Sequence, residues 1–353
     1  MTSFIDCTRF NKFYALLLVF VLLVAGCTTA RPTDSGANTE QHNAEDHAEA
    51  GHTTGEEKLP ALAAVTLGAG EKLQVVASTN LVADVVTQIG GDHITLHTLM
   101  GPGVDPHSYS TTPQDLRTLA EAQVVFINGL QLEAALADLL GGLTAPVVPV
   151  SAGITPRVMS DEPGDEQNAA AEEHHHEGGD PHAWQAVANV KIWVANIEES
   201  LRQLDPANAE AYHTAAEAYL AALDALEAEI QTQLATIPPE HRKLVTDHET
   251  FGYFADAYGF TIVGALIPSL STAAEPSAQA LAQLQDLVKA EGVKAIFVGA
   301  TVSPRLAEQM AQDLGIQVVS LYSDSLSAPD GPAATYLDFM RYNVNAIVQA
   351  LQP

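Results

Sequence analysis

Four side chains that can bind a metal ion lie in loops after or near predicted β-strands. They are His107, His182, His248 and Asp324. The first two histidines each close an Asp-Pro-His triplet, and the third follows an aspartate directly. Proline restrains the backbone before the histidine, and the aspartate can accept a hydrogen bond from the imidazole nitrogen that faces away from a metal. A single loop histidine is usually a surface residue, but this repeated pattern indicates a built site.

The elements that would position these loops alternate between strand and helix in both halves of the chain. Runs rich in β-forming residues cover 73–78, 94–99, 124–128 and 147–150, and then 243–246, 261–264, 295–298 and 318–321. Helical patterns cover 83–89, 113–122, 251–258, 277–290 and 304–314. This alternation predicts parallel sheets, in which ligands bind beyond the carboxyl ends of the strands.

The middle of the chain predicts a long helix between the two halves. A first helical stretch covers 187–203, and Asp205-Pro206 restarts the helix with a capping side chain and a proline at the first position. Apolar residues then recur at steps of three and four as far as Leu234. Roughly 30 residues make a rod of about 45 Å. We therefore expect an α/β fold of two (β/α) lobes with mostly parallel sheets, joined by one long rigid helix, with a metal site in the interlobe cleft.

The N-terminus carries the features of an export signal. Arg9 and Lys12 precede an apolar run over 13–24, and small residues lead to Cys27. The run is too short to span a bilayer comfortably, and its end resembles the lipobox at which bacterial lipoproteins are cleaved and lipidated on cysteine. The alternative is an ordinary secretory signal with an accidental cysteine. Because Cys7 would leave with the signal, we expect no disulfide framework and no cysteine-based metal site.

Charge and composition define two further segments. The net charge is −29, which repels nucleic acid and attracts cations. Residues 27–70 contain histidines and acids with little apolar pattern, so we expect a disordered tether. Residues 160–179 are acidic and contain a histidine triplet, so we expect an exposed loop that gathers metal with low affinity outside the tight site. The triplet consists of His174, His175 and His176.

Several longer motifs resemble one protein family over about residues 73–351. They are the loop Asp-Pro-His-Ser-Tyr, the loop Asp-Pro-His-Ala-Trp, the run Thr-Asp-His-Glu-Thr-Phe-Gly-Tyr-Phe over 246–254, Ser-Leu-Ser-Thr with Glu-Pro-Ser over 269–277, and Tyr-Ser-Asp-Ser over 322–325. The chain resembles the zinc- or manganese-binding solute-binding lipoproteins of bacterial ABC transporters. The tether is longer than the leader of that family, and some zinc-binding members have a disulfide that this chain cannot form.

The resemblance implies a ligand set and a set of partners. The ligands would be His107 and His182 from the first lobe, with His248 and Asp324 from the second; the possible supporting residues are Asp105, Asp180 and Asp247. Three imidazoles and one carboxylate suit tetrahedral zinc, while manganese, the alternative, prefers more oxygen and is held by glutamate at the position of His248 in relatives. We expect an extracytoplasmic monomer with a lipid anchor that delivers its divalent ion to a membrane permease.

The implied organisation divides the chain into five parts. They are a signal peptide at 1–26, a tether at 27–70, a first lobe at 71–185, linker helices at 186–237 and a second lobe at 238–353. The rival from another class is an extracytoplasmic zinc hydrolase. His248-Glu249 resembles the start of a His-Glu-x-x-His helix, but position 252 is glycine. An adhesin or a passive metal buffer is the third interpretation.

Overall fold

The computed structural model describes residues 58–157 and 179–352. The strands are β1 (Leu73–Thr79), β2 (Ile94–Met100), β3 (Val124–Ile127), β4 (Val147–Pro149), β5 (Lys243–Thr246), β6 (Thr261–Ala265), β7 (Ala295–Gly299) and β8 (Gln317–Leu321). The helices are α1 (Asn80–Gly90), α2 (Pro113–Glu121), α3 (Ala137–Gly141), α4 (Val187–Leu204), α5 (Ala209–Leu234), α6 (Gly252–Tyr258), α7 (Ala278–Glu291), α8 (Arg305–Leu314) and α9 (Tyr336–Leu351). Each predicted strand is observed, with ends that differ by at most one residue.

Two four-stranded sheets have the same topology. The order is β2-β1-β3-β4 in the first sheet and β6-β5-β7-β8 in the second, and all neighbouring strands are parallel. We call the first sheet with its helices the first lobe, and the second sheet with its helices the second lobe. Because parallel strands need crossover helices on the sheet faces, the central strands are buried on both sides, as the fully buried β7 shows. The predicted fold class is therefore confirmed.

The helix that joins the lobes is shorter than expected. Helix α5 has 26 residues, which corresponds to about 39 Å. Pro206–Asn208 forms a separate 3₁₀ turn, and the Asp205 carboxylate makes no capping bond to the backbone. It accepts hydrogen bonds from the Asn208 amide at 2.7 Å and the Tyr212 hydroxyl at 2.8 Å. The predicted cap is therefore wrong, and the two side-chain donors explain why the carboxylate points elsewhere.

Helix α9 was not predicted from the sequence, although it is one of the best-buried helices. Its N-cap Thr335 accepts from the Asp338 amide, and its inner face is buried along the whole length. The Tyr336 hydroxyl donates to the Trp184 carbonyl at 2.8 Å, and the Tyr336 amide donates to the Asp84 carboxylate at 2.9 Å. Helix α9 therefore fastens the end of the second lobe to elements of the first.

The end of the predicted tether is in contact with the folded domain. The Val65 amide donates to the Leu204 carbonyl at 2.7 Å, and four apolar side chains pack against the main core. They are Leu59, Leu62, Val65 and Leu67. Residues 58–70 therefore differ from the expected disordered tether, because four of their apolar side chains cover the core. The expectations for the signal, Cys27 and His174–His176 concern residues outside the described ranges.

Within residues 58–157 and 179–352, none of the helices has the length and apolar character needed to cross a membrane.

Candidate metal centre

The loop after β2 carries His107, and Asp105 shapes its turn. The Asp105 Oδ1 accepts from the His107 backbone amide at 2.9 Å, while its Oδ2 accepts from the Ser108 hydroxyl at 3.1 Å. The same Oδ2 accepts from the hydroxyl of Thr272, in the second lobe, at 2.6 Å. Asp105 therefore holds the loop and links the lobes, and it does not take the expected bond from the imidazole ring.

The loop after β4 carries His182, which is fully buried. The Asp180 Oδ1 accepts from the His182 backbone amide at 2.9 Å and lies 2.8 Å from the ring Nδ1. The Asn128 side-chain amide donates to the Pro181 carbonyl at 3.0 Å, which fixes the turn from the end of β3. With Nδ1–H directed at a carboxylate, the Nε2 lone pair is free for a metal. Sequence reasoning missed Asn128, although a polar residue directly after a buried strand is a signal for such a role.

His248 follows β5 and has the same kind of support. The Asp247 Oδ1 lies 3.0 Å from the His248 Nδ1 and accepts from its backbone amide at 2.7 Å. The Asp247 Oδ2 accepts from the Gly299 amide, at the end of β7, at 2.7 Å. A side chain at Gly299 would collide with Ser323. The close approach of these strand ends therefore fixes the carboxylate that orients the imidazole.

Asp324 follows β8 and presents one oxygen to the histidines. Its Oδ2 accepts from the hydroxyl of Ser323 and from that of Thr301 at 3.4 Å. The Trp184 indole and the Gln185 amide, both from the first lobe, donate to the Ser323 carbonyl at 2.8 and 3.2 Å. These supporting residues were not found from the sequence. They hold the carboxylate so that Oδ1 points into the cleft.

The four predicted ligand residues converge on one point between the lobes. Their ligand atoms all lie within 4.8 Å of one another. The two Nε2 atoms of His107 and His182 are 3.2 Å apart, and the Asp324 Oδ1 lies 3.5 to 4.0 Å from the three Nε2 atoms. A tetrahedral ion with bonds of about 2.0–2.1 Å requires ligand atoms roughly 3.3 Å apart. The separations of 3.2 to 4.0 Å are close to this value, so a contraction of the cluster would place four ligands around one ion.

Two of these atoms are polar and buried but make no hydrogen bond. Among the described residues, the His248 Nε2 and the Asp324 Oδ1 are buried side-chain atoms without a hydrogen-bond partner. Buried polar atoms are almost always paired, and leaving one unpaired costs about 1–3 kcal/mol. A cation bound between them would be a partner for both atoms at once.

The pKa values of the side chains in the cluster are shifted in opposite directions. Burial lowers the pKa of His107 to about 4, and the neighbouring His182 adds to this effect. Burial also disfavours a charged His248, but the carboxylates of Asp324 and Asp247 outweigh burial and raise its pKa to about 10. Burial alone would raise the pKa of Asp324, but the three imidazoles hold it far below its usual range. The metal-free cluster therefore contains an ion pair between His248 and Asp324.

Zinc binding is therefore expected to release about one proton per chain near pH 7.5. His248 is charged in the metal-free protein below pH 10, and an imidazole must be neutral to bind a metal. Protons then compete with zinc, so affinity falls as pH is lowered; an unperturbed histidine would confine this fall to values near and below about 6.5. Calorimetry in buffers of different ionisation enthalpy measures the number of protons. Binding without proton release at pH 7.5 would contradict this charge state.

The remaining described histidines lie away from the cluster. His93 and the Tyr212 ring meet edge to face, and His97 lies in β2. His241 lies 3.3 Å from the Lys294 ammonium, and the His213 Nδ1 lies 2.8 Å from the Glu198 carboxylate. Among the described residues, the cluster of His107, His182, His248 and Asp324 is the one group with metal-ligand geometry.

Comparison with known proteins gives consistent matches over most of the chain. Residues 75–350 match the family described as ZnuA, zinc-uptake complex component A, periplasmic. The manganese-binding lipoprotein MntA of Halalkalibacterium halodurans is 33% identical over 80% of this chain and 89% of its own length. The iron-binding protein YfeA of Yersinia pestis is 30% identical over 79% and 86%. The solved structure of the periplasmic zinc-binding protein TroA of Treponema pallidum is 31% identical, has a TM-score of 0.71 and covers 80% of this chain and 100% of its own.

Proposed function

The chain belongs to the zinc-uptake component A family of metal-binding lipoproteins, and from that premise we propose which ion it carries and which residues hold it. Members of this family are extracytoplasmic substrate-binding components of ABC transporters. They capture a divalent transition metal and pass it to the membrane permease; they are not enzymes. The zinc hydrolase interpretation is therefore wrong.

We propose that His107, His182, His248 and Asp324 are the four ligands. The observation that carries this proposal is the convergence of their ligand atoms within 4.8 Å, with two of these atoms buried and without a hydrogen bond. Each lobe would contribute two ligands, so an ion would be bound completely only when the lobes are together. Asp180 and Asp247 would orient their histidines through Nδ1, and Asp105 would hold the His107 turn. We take 71–185 and 238–353 as the two lobes for the same reason.

We propose zinc as the ion, with manganese as the alternative. The named relatives are described by three different metals, so similarity leaves the choice open. Three imidazole nitrogens and one carboxylate form a set of intermediate softness, whereas manganese favours more oxygen ligands. Elemental analysis of protein purified without added metal tests this choice. One equivalent of zinc per chain supports the proposal, and one equivalent of manganese would replace it with the alternative.

We also propose that Cys27 is lipidated and holds the protein at the membrane. The sequence pattern before it supports this, as do relatives described as lipoproteins. Cys27→Ser is expected to abolish lipid incorporation, because serine lacks the thiol that the lipid modifies. Metabolic labelling with a fatty acid, followed by fractionation, measures the change. Wild-type protein that carries no lipid would remove the proposal. The monomeric state, the role of His174–His176 and the adhesin and buffer alternatives stay predictions.

A further inference from the structure

Arg157 lies beside the His182 loop and contacts both Asp180 of the first lobe and α6 of the second. Its guanidinium Nε donates to the Asp256 carboxylate of α6 at 2.9 Å, and its NH1 lies 3.9 Å from the Asp180 Oδ2. Backbone groups of Arg157 and Asp180 also take part in this set of contacts, together with Tyr253. The Arg157 amide donates to the Tyr253 hydroxyl at 3.0 Å, and the Asp180 amide donates to the Arg157 carbonyl at 2.9 Å. The Tyr253 hydroxyl then donates to the Asp180 carbonyl at 3.0 Å.

Asp180 needs a positive charge close by. Its side chain is fully buried, and its Oδ1 is occupied by the backbone and ring nitrogens of His182. Its Oδ2 is buried and has no hydrogen-bond partner among the described residues. A buried carboxylate without a compensating charge is costly, and breaking a buried ion pair destabilises a protein strongly. The Arg157 guanidinium is the cation that the structure places against this oxygen.

The second lobe provides the space for this contact at Gly252. A Cβ at this position would lie 2.6 Å from the Arg157 NH1 and 2.7 Å from the Asp180 Oδ2. The guanidinium and the carboxylate therefore rest against the backbone at the start of α6. Gly252 lies four residues after His248. This one contact therefore joins Asp180, which orients His182, to the segment that carries His248.

We propose that Arg157 is a positioning residue of the metal centre, which fixes His182 through Asp180 and fastens the first lobe to α6. This inference rests on the proposed function. Residues that orient metal ligands typically change metal affinity by about 10–100-fold, and Arg157 acts one contact further from the metal. Its loss is therefore expected to weaken zinc affinity by about fivefold, chiefly through faster dissociation. The reason is that the lobes separate more easily and the His182 ring loses its orientation.

The test measures zinc dissociation from the loaded full-length chain into an excess of chelator. Arg157→Met is expected to release zinc about fivefold faster than wild type. Arg157→Lys is expected to lie between them, because one ammonium cannot serve both carboxylates as the planar guanidinium does. The matched control is Arg341→Met, because Arg341 also donates from Nε to a carboxylate at 3.0 Å but joins α5 to α9 through Glu229. The control is expected to release zinc at the wild-type rate.

A second measurement separates positioning from general loosening. In the cobalt-loaded protein the visible absorption bands report ligand geometry, so they are expected to shift in Arg157→Met and stay unchanged in Arg341→Met. Asp256→Asn is expected to have a smaller effect than Arg157→Met, because Asp256 is 64% exposed and surface ion pairs contribute little. An effect of Asp256→Asn as large as that of Arg157→Met would show that only the surface pair matters, and would overturn the role through Asp180.

Variants at Arg157 and at His182 distinguish a failure of this inference from a failure of the proposed ligand set. If His182→Ala weakens zinc binding as expected, but Arg157→Met behaves like Arg341→Met in both measurements, this inference alone is wrong. If zinc binding by wild type is insensitive to His182→Ala, the proposed ligand set is wrong, and the inference falls with it.

Discussion

His182→Ala is expected to weaken zinc binding by about a hundredfold. Structural zinc sites contribute ~10–16 kcal/mol, so one ligand of four accounts for roughly 3 kcal/mol, which corresponds to about a hundredfold in affinity. The loss also leaves the Asp180 carboxylate buried without the imidazole to which it is bonded. Alanine at His107, His248 or Asp324 is expected to have an effect of the same order. Competition titration against a chromogenic chelator measures these affinities.

The matched control for the ligand series is His213→Ala. His213 contacts Glu198 between α4 and α5, so it has a carboxylate partner like the candidate ligands but lies outside the cluster. Its replacement is expected to leave zinc affinity unchanged. A loss of affinity in this variant equal to that of His182→Ala would mean that the titration detects general destabilisation. A normal affinity in His182→Ala would remove His182 from the ligand set.

His248→Glu is expected to narrow the ratio of zinc to manganese affinity by at least about tenfold, which corresponds to ~1.4 kcal/mol. The change converts three nitrogens and one carboxylate into two of each. A second carboxylate adds negative charge and hard oxygen, which manganese prefers. A glutamate can also bind through both oxygens and raise the coordination number. Competition calorimetry with both ions, on wild type and variant, measures the ratio.

The position of His248 makes this substitution informative. The residue is fully buried, and its Nε2 lies 3.5 Å from the Asp324 Oδ1 at the centre of the cluster. His213 is partly exposed and lies outside the cluster, so a change there alters the surface charge without touching the proposed ligands. His213→Glu therefore serves as the control and is expected to leave the ratio unchanged. An unchanged ratio in His248→Glu would mean that this side chain does not touch the ion.

The fold was largely predictable because its signals are local. The buried strands of a parallel sheet form short apolar runs bounded by helical or turn patterns, so the sequence predicts the strand ends to within one residue. Helix α9 and the packing of residues 58–70 were missed for different reasons. The apolar face of α9 is periodic and is therefore a local signal of a helix, whereas the contact of Val65 with Leu204 joins distant parts of the chain and leaves no local signal.

The candidate ligands were predictable, but their surroundings were not. Proline and aspartate beside a histidine are adjacent in sequence, so the loops of His107 and His182 could be recognised directly. The hydroxyls of Ser323 and Thr301 support Asp324 from the ends of different strands. Asp105 shows that equal spacing in sequence does not predict the same hydrogen bonds. Its spacing from His107 equals that of Asp180 from His182, yet it bonds to a backbone amide and to Thr272 across the cleft.

The most direct measurement is a crystal structure of the protein purified without added metal, with anomalous data on both sides of the zinc absorption edge. We expect one interlobe peak that appears only above the edge. It should lie about 2.0–2.1 Å from the Nε2 atoms of His107, His182 and His248 and about 2.0–2.2 Å from an oxygen of Asp324. A peak that persists below the zinc edge, or one held by other residues, would contradict the proposed zinc site.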